Sequence, residues 1–185
     1  MSSTLLIIIT GPACTGKTTL GKHLARELHL PFVTKDGIKE LLFDNLGWKD
    51  REWSQKLGKA TYPILYYFVE SLLAAGCSHI VESNFSAEFS TEKFFELKKQ
   101  YGFEPFQIQC VSHGEVLFQR FKERSESGER HPGHRDHLNY EEFKAGLLKG
   151  RDEPLDIGGT LVEVDTTDFG AIDYKKLVEM IQCVK

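Results

Sequence analysis

Residues 5–25 read LLIIITGPACTGKTTLGKHLA, and this stretch limits the fold more tightly than any other. Leu5 to Ile9 is an apolar run without a polar break, the pattern of a strand buried on both faces. Gly11-Pro12-Ala13-Cys14-Thr15-Gly16-Lys17-Thr18 matches G-x-x-x-x-G-K-[ST] at every fixed position. Leu20, Leu24 and Leu28 follow at helical spacing. Strand, glycine loop and helix are consecutive, which is the context this motif requires.

The residue types explain the chemistry. Gly11 and Gly16 allow the backbone to curl so that successive N–H groups point at phosphate oxygens, and the helix opening near Lys17 adds its positive end. The expected nucleotide cradle is therefore Gly11, Pro12, Ala13, Cys14, Thr15, Gly16, Lys17, Thr18 and Thr19. Lys17 reaches the β- and γ-phosphates, and the Thr18 hydroxyl holds Mg²⁺ with Thr19 outside the metal's inner shell. The chain has no N-K-x-D guanine-reading motif, which tilts the choice toward ATP. The plainer alternative is a glycine turn feeding an amphipathic helix with Lys17 merely solvated. Cys14 receives no chemical role.

The 185 residues suit one domain. Hydrophobic residues make up 41% and charged residues 27%, ordinary for a globular chain, and the formal net charge of -4 argues against broad nonspecific nucleic-acid binding while leaving room for a locally basic cleft. Cysteines 14, 77, 110 and 183 lack metal-ligand spacing and read as reduced thiols of a cytoplasmic protein. The start has no basic n-region and its apolar run ends at Gly11-Pro12, so neither a signal peptide nor a membrane span is expected.

Further along, Leu30–Thr34 reads as a second strand and leads into a helix bearing Ile38, Leu41 and Leu42. Asp36 sits at that junction, either as the helix N-cap with Glu40 as a loose partner or, on the ligand side of an α/β sheet, as the carboxylate that orients or deprotonates an acceptor hydroxyl. A helix follows from Arg51 to Ala75, with a break or kink expected from Gly58 and Pro63. Its Tyr62, Tyr66, Tyr67 and Phe68 belong to the core, or in part to an acceptor pocket. His79–Val81 enters a third strand ending on Glu82-Ser83-Asn84. Glu82 can hold Mg²⁺ through water beside Thr18 or be an ordinary strand terminus, and Asn84 can bond the substrate. Helices over Thr91–Tyr101, Glu115–Glu126, Tyr140–Lys149 and Ile172–Val184, strands over Phe106–Val111 and Thr160–Asp165, and a polar connection over Gly150–Gly159 complete the chain. Thr166–Asp168 falls where a loop can contact the adenine base. The alternation predicts a three-layer α/β/α fold with a five-stranded, mostly parallel sheet.

Arg120, Arg124, Arg130 and Arg135 fall within sixteen residues. Ser127–His137 is almost free of apolar residues, so it reads as a mobile basic flap outside the core, a lid at about 120–137. Arg120, Arg124 and Arg130 are candidates to neutralise charge on a transferring phosphoryl group, or they are solvated and paired with Glu123, Glu126 and Glu129. The spacing of His131, His134 and His137 does not give one face, because Pro132 and Gly133 interrupt it. His134 or His137 bonding phosphate or substrate is the stronger reading than a zinc site.

The motif, Asp36, Glu82-Ser83-Asn84 and the arginine segment together resemble small P-loop kinases, in particular the branch of polynucleotide 5′-hydroxyl kinases, chloramphenicol phosphotransferases and zeta-toxin-like kinases. That resemblance implies strand order 2-3-1-4-5, ATP and Mg²⁺ as cofactors, and Asp36 acting on the acceptor hydroxyl. Lys17, Asp36, Arg120, Arg124 and Arg130 are then the catalytic set, Thr18 and Glu82 the metal set, and Asp36 and Asn84 the substrate contacts. The expected activity is γ-phosphoryl transfer to a small-molecule hydroxyl, with an oligonucleotide 5′ end and a nucleotide switch or ATPase partner protein as alternatives. No membrane partner is expected, and the chain is expected to be a monomer or homodimer.

Overall fold

The computed structural model describes residues 4–184. Among these residues, five strands, β1 (Leu5–Thr10), β2 (Phe32–Thr34), β3 (His79–Glu82), β4 (Glu104–Val111) and β5 (Thr160–Asp165), are interspersed with seven α-helices. These are α1 (Lys17–Leu28), α2 (Lys35–Leu46), α3 (Arg51–Ala74), α4 (Ala87–Tyr101), α5 (Gly114–Glu126), α6 (Tyr140–Leu148) and α7 (Tyr174–Val184). The sheet has the order β2-β3-β1-β4-β5, and every neighbouring pair is parallel. The three-layer, five-stranded arrangement is the one expected.

All six residues of β1 are buried, because helices cover both faces of the sheet. The period of two sorts them: Leu6 and Ile8 pack with Leu65, Val69 and Leu73 of α3 and Phe94 of α4. Leu5, Ile7 and Ile9 pack with Leu20 and Leu24 of α1 and Leu177 and Ile181 of α7. Burial of each such side chain contributes about 1.5–3 kcal/mol.

Three expectations are corrected. Helix α3 runs through Gly58 and Pro63 without a break; Pro63 and Lys59 lie on its exposed side, where water can donate to the Lys59 carbonyl in place of the N–H that proline lacks. Helix α4 starts at Ala87 rather than Thr91, after Ser86. The polar connection after α6 contains core: Leu155 and Ile157 are buried, and the chain there is tied to β4 by Gln107 Nε2 donating to the Leu155 carbonyl at 3.0 Å and Gln109 Nε2 donating to the Asp152 carbonyl at 2.7 Å. Gln107 and Gln109, both buried, are the groups that hold this cover down.

Candidate active site

The site lies at the C-terminal edge of the parallel sheet, the ordinary ligand side of such folds. A cavity of about 970 Å³ is lined by the glycine loop, the start of α2, part of α3, Glu82–Asn84 and the 120–136 region. Eight lysine and arginine side chains line it against five carboxylates, although the whole chain carries a net charge of -4.

The glycine loop is shaped as its composition requires. Gly11 has φ +136°, and a Cβ there would lie 2.2 Å from the Cys110 carbonyl oxygen. Gly16 has φ +75°, and its Cβ would lie 2.6 Å from the Phe169 ring. Gly16 caps α1 without any side-chain bond, and the first turn carries no acidic residue. The leading amides of α1 are therefore left for an anion from outside. Lys17, nearly buried, donates from Nζ to the Pro12 carbonyl at 2.7 Å, while Arg124 Nε is buried with no partner among the described residues. A polyphosphate fits these unmet donors.

Beside the loop, the Thr18 hydroxyl donates to Glu82 Oε2 at 2.8 Å. Burial pushes the Glu82 carboxyl above the usual carboxylate value, against the pull of Lys17 and the Thr18 bond. A hydroxyl and a carboxylate oxygen in contact, both hard oxygen donors, fit Mg²⁺.

Asp36 faces the same cavity. The N-cap reading is corrected: Thr34 caps α2, its Oγ1 accepting from Gly37 N at 3.0 Å. The Asp36 carboxylate is consequently free for other partners. Oδ2 accepts from Arg130 Nη2 at 2.9 Å and Oδ1 from Lys35 Nζ at 3.3 Å. Burial alone would raise its pKa; Arg130, Lys35 and His134 outweigh burial and hold the carboxyl well below the usual range.

Arg130 is the hub of the segment after α5. Its Nε donates to Asp136 Oδ2 at 3.1 Å, its Nη1 lies 3.7 Å from Glu40, and its Nη2 also lies 3.1 Å from His134 Nδ1. Arginine only donates, so His134 Nδ1 accepts and Nε2–H donates to Glu40 Oε1 at 3.0 Å. Burial lowers the His134 pKa, as does Arg130, against the Glu40 bond. The flap is therefore not outside the core. Gly133, His134 and Asp136 are buried, and Phe43 stacks on His131 and meets His134 edge-on at centroid distances of 5.1 and 5.3 Å. Its packing is polar, which apolar content does not reveal.

Arg124 lies 3.6 Å from Asp136. Arg120 stands apart, donating to the Thr166 and Thr167 carbonyls at 2.8 Å each and lying 4.0 Å over the Phe169 ring. Asn84 is exposed at the cavity edge. Tyr62 and Tyr66 pack on the core, Tyr67 and Phe68 are exposed, and none of the four lines the cavity, so the expectation that some of them line an acceptor pocket is corrected. His131 bonds Asp44 at 3.1 Å and His137 is exposed.

Several lining residues went unmarked in the sequence. Lys39 lies three positions after Asp36, the spacing that shares a helix face, and was legible on that ground. Arg51, Ser54 and Gln55 open α3 and reach the cavity only because α3 packs against α2. Asp136 carried the signal of a carboxylate within a basic segment. Phe169 carried none.

Comparison with known proteins agrees with this architecture. A structure from Chloroflexus aurantiacus J-10-fl, described provisionally as a kinase, superimposes with a TM-score of 0.87 at 40% identity, covering 99% of this chain and 96% of that one. A sugar kinase from Janibacter sp. HTCC2649 shares the fold at 16% identity, TM-score 0.55, with 99% and 94% covered. The Pnkp1/Rnl/Hen1 RNA repair complex shares it at 16% identity and TM-score 0.56, over 86% of this chain and 51% of that one. Shikimate kinases of two Bacteroides fragilis strains are 57% identical over 37 residues, 20% of this chain, so the match spans about a fifth (21%) of those curated relatives. The family model for the AAA domain designated AAA_33 matches residues 6–147, most of the fold and nearly all of the cavity, and the chain belongs to that family.

Proposed function

We propose that the protein is an ATP-dependent kinase, a single domain with residues 120–137 as its lid, that transfers the γ-phosphoryl group to a hydroxyl of a small molecule. One observation carries the reading: the Thr18–Glu82 pair beside the glycine loop and the Asp36 carboxylate line one cavity, so a phosphoryl donor and a hydroxyl acceptor can meet there. The provisional kinase from Chloroflexus supports it at 40% identity. The polynucleotide-kinase and antibiotic-phosphotransferase branch remains the nearer analogy for Asp36, a carboxylate just past β2.

In this reading the α1 amides and Lys17 hold the donor phosphates, Lys17 exchanging the Pro12 carbonyl for phosphate oxygen. Thr18 and Glu82 hold Mg²⁺, which supplies charge neutralisation at the phosphates. Asp36 orients the acceptor hydroxyl and receives its proton; a loose transition state demands little basicity of it, so its depressed pKa is compatible with the role. Arg124 and Arg130 neutralise charge on the transferring group, while Arg120 and Phe169 flank the base, next to the 166–168 loop. Asn84 contacts the acceptor at the cavity edge. The test is transfer from labelled ATP to a screen of sugars, polyols, hydroxy acids, nucleosides, aminoglycosides and 5′-hydroxyl oligonucleotides. Transfer to a small acceptor supports the reading. Transfer confined to oligonucleotide ends replaces it with a polynucleotide kinase, and ATP hydrolysis indifferent to every acceptor replaces it with a nucleotide switch.

A further inference from the structure

Lys39 lies on α2, only 6% exposed, in the cavity wall. Its Nζ donates to the hydroxyl of Ser54, a fully buried residue of α3, at 3.0 Å. Among the described residues no carboxylate is within ion-pair distance of Lys39, whereas each neighbouring cation has one. Lys35 pairs with Asp36, Arg130 with Asp36, Asp136 and Glu40, and Arg51 with Glu142. The Phe43 ring, 5.2 Å from Nζ, is its other electrostatic partner. Burial pushes the ammonium down to about 8, with Lys35, Arg51 and Arg130 pressing in the same direction and Asp36 opposing them.

A buried cation without a counter-charge costs several kcal/mol. Methionine would fill the same space without that cost, so the charge signifies a partner that the chain itself does not supply. An ammonium has three donors; Ser54 accepts one, and the remainder are available on a side that opens to the cavity, where Arg51 and Gln55 add further donors. Lys39 is three residues from Asp36 on α2 and shares its face. A molecule anchored by an anion at Lys39 thus lies beside the carboxylate that handles the hydroxyl.

We infer that the phosphoryl acceptor carries an anionic group, a carboxylate or a phosphate, seated on Lys39 and Ser54 with Arg51 and Gln55 at its edge. The inference rests on the kinase reading of the same cavity and specifies its substrate class: hydroxy acids or phosphorylated polyols rather than neutral sugars.

The test uses matched pairs: glycerol against glycerate, glucose against gluconate, ribose against ribose 5-phosphate. Binding is measured by calorimetry with Mg²⁺ and a non-hydrolysable ATP analogue, and transfer with labelled ATP. An anionic member is expected to bind at least 10-fold tighter than its neutral partner, and Lys39→Met to weaken the anionic member alone by about 10- to 100-fold, the worth of a charge-assisted hydrogen bond. The carboxylate and phosphate arms tell which anion the seat prefers. Ser54→Ala, expected to cause a smaller loss in the same sense, serves if Lys39→Met fails to fold. Equal binding of neutral and anionic members, no binding of any anion, or a loss in the variants that is the same for both members overturns the inference. Lys39-dependent anion binding without transfer to any acceptor leaves the seat standing and removes the kinase reading. Transfer to neutral acceptors without anion preference does the reverse.

Discussion

Asp36 and Arg130, 94 positions apart in the chain, meet as an ion pair with Nη2 2.9 Å from Oδ2. The contact joins the first turn of α2 to the proposed lid and leaves the proposed proton acceptor occupied by an arginine of that segment. For an acceptor hydroxyl to reach Asp36, it must share or displace that arginine. In the proposed reaction, binding of the acceptor and positioning of Arg130 on the transferring phosphoryl are thereby coupled.

Asp36→Asn keeps the size of the side chain and removes its charge. It is expected to lower turnover by about 100-fold or more, the usual worth of a positioned proton acceptor, while Mg·ATP affinity changes little because Asp36 bonds Arg130 and Lys35 rather than the glycine loop. Steady-state kinetics and calorimetry on the same preparation check this. Lost nucleotide binding with intact turnover contradicts the role.

Arg130→Met removes the partner of Asp136, which is 6% exposed. Leaving such a carboxylate buried without its partner costs about 3–5 kcal/mol, reduced here by the remaining Arg124 contact. A lower Tm is expected, together with faster protease cleavage between Ser127 and His137. An unchanged cleavage rate means that Arg130 does not hold the lid.

Mild acid is expected to loosen the same segment. The His134 pKa is lowered by burial, so between its folded value and the ordinary value near 6.5 the unfolded state binds more protons, and stability falls as pH drops through that window. Asp36 and Glu40, whose pKa values are lowered, add stability that is lost only at still lower pH, below the ordinary carboxylate values near 4. Protection factors over 127–137, with the base-catalysed intrinsic exchange rate divided out, are expected to fall from about pH 7.5 to about pH 5.5, and His134→Asn is expected to flatten that fall. Protection factors that do not change with pH in the native protein contradict the argument.

Nucleotide binding tests the loop and the metal pair separately. Lys17→Ala is expected to abolish most Mg·ATP affinity. Glu82→Gln is expected to remove the dependence of that affinity on Mg²⁺ while leaving the weaker metal-free binding in place. Calorimetry across a Mg²⁺ titration distinguishes the two, and wild-type affinity in Lys17→Ala contradicts the assignment of the donor site.

Much of this protein follows from local pattern. The apolar run at Leu5–Ile9, the glycine positions at 11 and 16, and the helical spacing of Leu20, Leu24 and Leu28 fix a strand, loop and helix because each depends on neighbours a few residues away. The alternation of strands and helices then allows little but a parallel sheet with covered faces. Glu82 was legible as a strand terminus, and its meeting with Thr18 follows once β3 lies beside β1. Tertiary structure decided what depends on residues far apart. Thr34, not Asp36, caps α2, and Asp36 is thereby released to Arg130. The segment from Ser127 to His137 looks too polar for burial, yet Gly133, His134 and Asp136 within it are buried, held by ion pairs and hydrogen bonds to α2 and within the segment that hydrophobic periodicity does not register. The place of Lys39 on the Asp36 face of α2 is legible in the spacing; only the packing of α2 on α3 encloses its charge against Ser54 in the cavity wall.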